Sequence, residues 1–250
     1  MTQLKVILKK NSGRNNSGSV VVRHQGGRQK RFYRIIDFKR NKMDMEGIVI
    51  GIEYDPNRSV DLLLIQYSDG EKRYILRPAN VSLGDKVLAG EMVDIRNGNA
   101  MLIKNIPVGT PVHNIELTKG RGGQIARSAG NQAMIVAKEE KYVQVKMPSG
   151  EIRRILNNNY ATIGQLSNIE WKDRVFRKAG TKRHMGIRPT VRGVAQDPKS
   201  HPHGGGEGRS SVGLKYPKTP WGKPAVGKTR RRGKYSSSLI VSGRKKGKHS

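Results

Sequence analysis

Two histidines at alternate positions in a glycine-rich string, His201-Pro202-His203-Gly204-Gly205-Gly206-Glu207-Gly208-Arg209, are the residues of this chain most suggestive of chemistry. A pair of imidazoles could ligate a metal, but no further Cys or His cluster nearby completes a tetrahedral site. Acid–base catalysis would need a positioned nucleophile or partner acid, and Asp197 and Glu207 are only loosely placed for that role. A third use fits better. Consecutive glycines let the backbone approach a ligand closely, adopt positive φ and turn N–H groups toward phosphate. Imidazoles and Arg209 then hydrogen-bond or stack on RNA groups. The string predicts RNA contacts at His201, His203, Gly204, Gly205, Gly206 and Arg209, with no catalytic residue and no metal ligand.

A second pattern is formal only. Gly222-Lys223-Pro224-Ala225-Val226-Gly227-Lys228-Thr229 satisfies the P-loop spacing that cradles nucleotide phosphates. That mechanism requires a buried strand before the loop and a helix after it, whose N-terminal N–H groups face the phosphate. Upstream lies Lys215-Tyr216-Pro217-Lys218-Thr219-Pro220-Trp221, too rich in proline for a central strand. Downstream lies Arg230-Arg231-Arg232-Gly233, with no amphipathic pattern. An NTPase is therefore disfavoured, and Trp221, Lys228, Arg230, Arg231 and Arg232 are expected to bind RNA instead. Gly26-Gly27-Arg28-Gln29-Lys30-Arg31 and Lys119-Gly120-Arg121-Gly122-Gly123-Gln124 repeat the glycine-plus-cation chemistry. A glycine-rich loop is more often a plain turn, but three of them interleaved with cations point to phosphate.

The charge of the whole chain agrees. Its 250 residues carry 49 Lys+Arg against 19 Asp+Glu, a formal net charge of +30. Such a chain resists compaction unless a polyanion neutralises it. The charge is segregated: residues 1–42 hold 12 cations and one acid, residues 43–173 hold 16 of each sign, and residues 174–250 hold 21 cations and two acids. A balanced middle with basic ends is the pattern of a folded body with nucleic-acid-binding arms. A membrane surface is disfavoured, because no stretch approaches the ~20 apolar residues of a spanning helix and the basic segments lack an apolar face. Cysteine is absent, which excludes disulfide scaffolds and cysteine-based zinc sites. Met1 to Lys10 is too short and charged for a secretory signal and lacks the long run of a transit peptide.

The elements that must hold these residues read as β. Ile48, Ile50, Ile52 and Tyr54 fall at period two across Gly47 to Tyr54, a half-buried strand. After the turn Asp55-Pro56-Asn57-Arg58 comes the apolar run Leu62 to Ile65. Ser68-Asp69-Gly70 joins it to Arg73 to Leu76 as a hairpin, since Asp-Gly supplies positive φ. Short strands near Lys86 to Leu88 and Met101 to Ile103 complete a first small barrel of five or so strands. Ile106 to Pro111 is a boundary. A strand from Val112 to Leu117, a meander over Ala133–Ala137, Tyr142–Met147 and Glu151–Leu156 turning at Pro148-Ser149-Gly150, and a closing strand over Tyr160–Leu166 make a second. Long helices are not evident. Only 5% of residues are aromatic, which argues against a sheet that stacks single-stranded bases. The first thirty residues and those beyond about 180 lack apolar periodicity and are expected to fold onto RNA.

Many strings together resemble one family, the universal large-subunit ribosomal protein two, of bacterial or organellar type. They include Arg34-Ile35-Ile36-Asp37-Phe38-Lys39-Arg40-Asn41, Ile52-Glu53-Tyr54-Asp55-Pro56-Asn57-Arg58-Ser59, Val112-His113-Asn114-Ile115-Glu116-Leu117, Gly122-Gly123-Gln124-Ile125-Ala126-Arg127-Ser128-Ala129-Gly130 and the His201 string. The resemblance covers nearly the whole chain. It implies an all-β protein: a basic N-terminal extension over 1–30, an OB-type barrel over 31–108, an SH3-like barrel over 109–179, and an extended basic C-terminal arm over 180–250. It implies large-subunit rRNA as partner, with neighbouring large-subunit proteins and an intersubunit contact to the small subunit. Roles in assembly, subunit association and the architecture of the peptidyl-transferase region follow from it, as does the absence of a small-molecule substrate. No cofactor is expected beyond Mg2+ ions bridging to rRNA.

The expected rRNA contacts are Arg23, Gly26, Gly27, Lys30, Arg31, Arg34, Arg40, Arg58, Lys119, Arg121, Gln124, Arg127, Arg188 and Arg192, with the residues already named. Phosphate-directed cations position such a protein on its RNA. The chain departs from the family where an acid usually precedes the first histidine, here Ser200, so no Asp–His pair is available at that spacing. It also has Arg28-Gln29 where a third glycine and a histidine are usual. A short N-terminus and the tail Lys245-Lys246-Gly247-Lys248 favour a mitochondrial ribosome, with plastid or bacterial cytoplasm as alternatives. A free-standing RNA chaperone or nucleoid-type protein is the other class of function.

Overall fold

A computed structural model describes residues 4–208, 210–226 and 233–244. The chain divides into two compact units. One comprises residues 1–8, 30–175 and 238–245; the other comprises 9–29, 176–237 and 246–250.

The first unit is all-β, an OB-type barrel followed by an SH3-like barrel. Its four-stranded antiparallel sheet runs in the order Lys72–Leu76, Leu62–Tyr67, Gly47–Glu53, Lys86–Val87. The second strand in that order is covered on both faces. Leu62 packs with Ile36, Val60, Tyr74, Leu76 and Leu166, while Leu63 and Ile65 pack on the opposite side with Val49, Ile75, Val81 and Val87. This is why its sequence is a continuous apolar run and not an alternating one. The Asp69-Gly70 hairpin forms as expected: Gly70 has φ +81° and its N–H donates to the Tyr67 carbonyl over 2.9 Å.

The strand Gly47–Glu53 alternates as its period predicts, but with the opposite face inward. Ile48, Ile50, Ile52 and Tyr54 are exposed, and Val49 is buried. The reason is space. A Cβ on Gly47 would lie 2.4 Å from Cγ2 of Ile65, so the large side chains of the neighbouring strand fill the interior and only small residues fit opposite them.

The second sheet has seven strands in the order Ile240–Ser242, Ile152–Leu156, Tyr142–Lys146, Ala133–Lys138, Pro111–His113, Tyr160–Ile163, Ala100–Leu102. Its core is built on Met101, Ile103, Ile106, Val112, Ile115, Ile135, Val143, Val145, Ile155 and Ile163. Ala100–Leu102, expected to complete the first barrel, instead pairs antiparallel with Tyr160–Ile163. Both faces of its three residues are buried, so alternation could not reveal which sheet it joins.

The strand expected over Val112 to Leu117 is broken into Pro111–His113 and Ile115–Glu116 by Asn114, at φ +49°. Ile115–Glu116 then pairs with Gly123–Ile125 as a separate ribbon. Another ribbon, Lys5–Ile7 with Phe32–Arg34, was not anticipated.

The second unit is held by backbone pairing with little apolar burial. Within it, Gly26 donates to Gly186, Gln29 to His184 and Arg188 to His24, each over 2.9–3.0 Å. The two basic segments, expected as separate arms, therefore pair with each other. A short helix, Ala179–His184, precedes the contact. Among its described residues, His201 alone is buried.

Candidate nucleic-acid interface

The two histidines lie in a knot of backbone hydrogen bonds. His201 donates its N–H to the Asp197 carbonyl over 3.2 Å, and Gly204 donates to the His201 carbonyl over 2.9 Å. The N–H of His203 donates to Nδ1 of His201 over 3.0 Å. Nε2 of His203 in turn accepts the N–H of Lys218 over 2.8 Å. Each ring nitrogen that accepts must be unprotonated, so His201 carries its proton on Nε2 and His203 on Nδ1. Both rings are then neutral donors, with centroids 4.6 Å apart. Burial of His201, and after it unfavourable electrostatics from the neighbouring His203 and Arg23, lowers its pKa from the ordinary histidine value.

Gly193 makes room for this arrangement. A Cβ there would stand 2.5–2.8 Å from three atoms of the His201 ring. In Gly204-Gly205-Gly206 the glycines also serve the chain itself. A Cβ on Gly204 would meet the Gln196 carbonyl oxygen at 2.4 Å, and Gly205 and Gly206 hold φ +94° and +90°. Conformational freedom there shapes the loop before any ligand arrives.

The basic ribbon of the first unit is organised the same way. Gly122 donates to a carboxylate oxygen of buried Glu116 over 2.8 Å, and Gly123 donates to the Phe38 carbonyl over 2.9 Å. These bonds fix the base of the loop that carries Lys119 and Arg121, both exposed, with Gln124 exposed on the returning strand. Arg127 and Arg58 both lie over the ring of Phe38, their Cζ atoms 4.6 Å and 5.7 Å from its centroid. Phe38 thus brings together two expected RNA contacts that are far apart in sequence.

The remaining cations divide by partner. Lys30, Lys119, Arg121, Arg188 and Arg192 are exposed and have no side-chain partner among the described residues. Arg34 is tied to Glu53 over 2.9 Å, Arg58 to Asp55 over 2.8 Å, and Arg31 donates to the Pro56 carbonyl. Arg40 differs from them: it is 3% exposed and donates to the carbonyls of Gly98 and Leu88, so its guanidinium is turned into the fold. Gly26 and Gly27 hold φ +145° and +66°, and Gly26 sits in the backbone pairing with Gly186.

Trp221 stands at the tip of a turn in which Thr219 donates to Lys223 and Ala225 to Pro217. Arg23 lies 5.8 Å over its ring. The part of the P-loop pattern that is described, Gly222 to Val226, belongs to this turn, and among the described residues 210–221 nothing longer than an isolated bridge leads into it. Arg209, Lys228, Arg230, Arg231 and Arg232 lie outside the described residues. Val20 to Val22, Thr190 and Gln196, which line a cavity beside Trp221 and His201, were not singled out by sequence reasoning. They are scattered over the chain and carry no motif.

Residues 1–89 match the family described as Ribosomal Proteins L2, RNA binding N-terminal domain, and residues 96–222 match Ribosomal Proteins L2, C-terminal domain. Together these matches span most of the chain, glycine-rich histidine string included. The chain belongs to the ribosomal protein L2 family, a structural, non-enzymatic family of RNA-binding proteins of the large ribosomal subunit.

Proposed function

We propose that this ribosomal protein acts as an assembly element that folds its basic second unit into large-subunit rRNA, near the peptidyl-transferase region, and supports subunit association. The observation that carries the reading is the composition of that unit. Segments 9–29 and 176–237 hold 21 Lys+Arg against two acids, Asp197 and Glu207. They bury one side chain, His201, among the described residues. A segment with that charge and so little apolar burial gains most of its stability from a polyanion. Exposed cations in both units supply phosphate contacts, and Mg2+ ions bridge where carbonyls face phosphate. The Lys-rich tail Lys245-Lys246-Gly247-Lys248 supports a mitochondrial ribosome as its compartment, with plastid or bacterial cytoplasm as alternatives. Neighbouring large-subunit proteins and the small subunit are its further partners.

Sedimentation tests this reading. The chain is expected to travel with large subunits through a high-salt gradient, and subunits depleted of it to lose peptidyl transfer and joining to small subunits. Release into the free-protein fractions would instead favour a free-standing RNA chaperone. Binding of the isolated chain to rRNA should fall steeply with salt, because each neutralised phosphate releases counterions.

A further inference from the structure

Within the second unit, a cavity of about 550 Å3 opens beside Trp221 and His201. Its volume lies in the roughly 300–1,000 Å3 range of pockets that hold small planar ligands. Apolar walls come from Val21 and Val191, 61% and 55% exposed. His201 presents to it a ring whose Nδ1 is already used and whose Nε2–H meets no acceptor among the described residues. Gln196 spends its amide N–H on the Val191 carbonyl over 3.2 Å, leaving its side-chain oxygen as an acceptor. Trp221 is 76% exposed, and Arg23 covers its ring from one side.

A large aromatic plate in water, apolar walls, one oriented donor and one oriented acceptor describe the recognition of a flat heterocycle. Stacking supplies the affinity, and the donor and acceptor orient an edge. Arg23 at the cavity, and the excess of Lys+Arg in the segments that form it, repel a basic partner and attract a phosphate backbone. We infer that this cavity receives a single unstacked nucleobase of the bound RNA, laid on Trp221, with its edge toward His201 Nε2–H and Gln196. This rests on the RNA-binding reading and adds to it a base-directed contact. The low aromatic content excludes a stacking sheet, but one aromatic at a turn tip suffices for one base.

Tryptophan fluorescence reads the contact directly. The chain has two tryptophans, so a Trp171→Phe variant of the full chain leaves Trp221 as the sole reporter. It is titrated at elevated salt with an oligoadenylate and with an abasic ribose-phosphate oligomer of equal length. The expected result is quenching by the oligoadenylate and none by the abasic strand. Trp221→Ala should weaken oligoadenylate binding roughly fivefold to a hundredfold, leave abasic binding unchanged, and be largely rescued by Trp221→Phe. Equal quenching by both strands, or binding without quenching, overturns the base site while leaving RNA binding intact. Tighter quenching by free adenosine monophosphate than by the oligomer overturns RNA as the occupant. Failure of every strand to bind removes the RNA-binding reading itself.

Discussion

The backbone N–H of His203 ends on Nδ1 of His201, 3.0 Å away, and that bond decides what the His201 imidazole is able to do. A ring whose lone pair is already used has none left to take a proton from a substrate. What remains is a donor, Nε2–H, which suits an RNA oxygen or nitrogen. The ring should stay neutral as pH falls through 6.5, protonating only below that ordinary value, because burial and then the electrostatics of His203 and Arg23 oppose the cation. Nitrogen chemical shifts of the His201 ring, followed against pH, check both the tautomer and the direction. Titration at or above 6.5 would show that the bond to His203 does not form.

Gly193 is predicted to tolerate no side chain. Alanine there would drive a methyl group to within 2.5–2.8 Å of the His201 ring, too close for any relaxed contact. Overpacking of this kind costs about 1–3 kcal/mol. Gly193→Ala should therefore shift the His201 ring resonances and lower retention on large subunits in high salt about as much as His201→Leu does. Thermal unfolding of the barrels should be unchanged, since none of these atoms belongs to their cores. A Gly193→Ala chain with native His201 resonances would mean that the loop has room to spare.

Arg40 and Arg188 look alike in the sequence, each an arginine in a basic segment, and the structure predicts opposite phenotypes. Arg188 is exposed with no side-chain partner among the described residues, whereas Arg40 is spent on the Gly98 and Leu88 carbonyls. Arg188→Gln should lower the slope of log affinity against log salt by about 0.7–0.9 and leave stability alone. Arg40→Gln should cost about 3 kcal/mol of stability, through two unpaired carbonyls and lost charge-assisted bonds, without changing the slope. Denaturant unfolding and salt-dependent rRNA binding, measured on both variants, separate the two roles. A reduced slope for Arg40→Gln would restore it as an RNA contact.

The contrast shows where sequence reading succeeds. Hairpins announced by Asp69-Gly70 and Ser149-Gly150 form, because positive φ is a local demand that glycine meets wherever it sits. Period-two alternation over Ile48 to Tyr54 located a strand, but the inward face depended on Ile65 and Tyr67, seventeen or more residues away from Gly47 and Ile48. Ala100–Leu102 went to the other sheet for the same kind of reason: pairing partners are a tertiary fact. Charge segregation marks out the two basic ends by composition. It could not say that residues 24–29 pair with 184–188, since a backbone ladder between polar segments leaves no periodicity. Among the cations, only the structure separates free guanidinium groups from those tied to Asp55, Glu53 or carbonyls.

Acid sensitivity of the first unit should come in two windows that different residues control. His113 is fully enclosed, with Nδ1–H donated to the Gly164 carbonyl over 2.8 Å. Burial, aided by the charge of Arg40, pushes its pKa down to about 4 against the weaker support of that bond. Its neutral form stabilises the fold fully above pH 6.5. As pH falls from 6.5 to about 4, the unfolded chain binds a proton that the folded one refuses, and about 3 kcal/mol is lost. Glu53 works lower. Burial opposes its charge, but hydrogen bonds from Tyr74, Lys5 and Arg34 overcome it and hold the carboxyl at about 2. Its contribution, about 2–3 kcal/mol, is complete above pH 4.5 and disappears as pH falls through that folded value. Denaturant midpoints measured across the pH range should therefore decline twice. His113→Gln should flatten the upper decline and Glu53→Gln the lower one, each leaving the other in place. A single decline abolished by Glu53→Gln would show that His113 is not closed off from water, and that Arg40 does not sit over a dry interior.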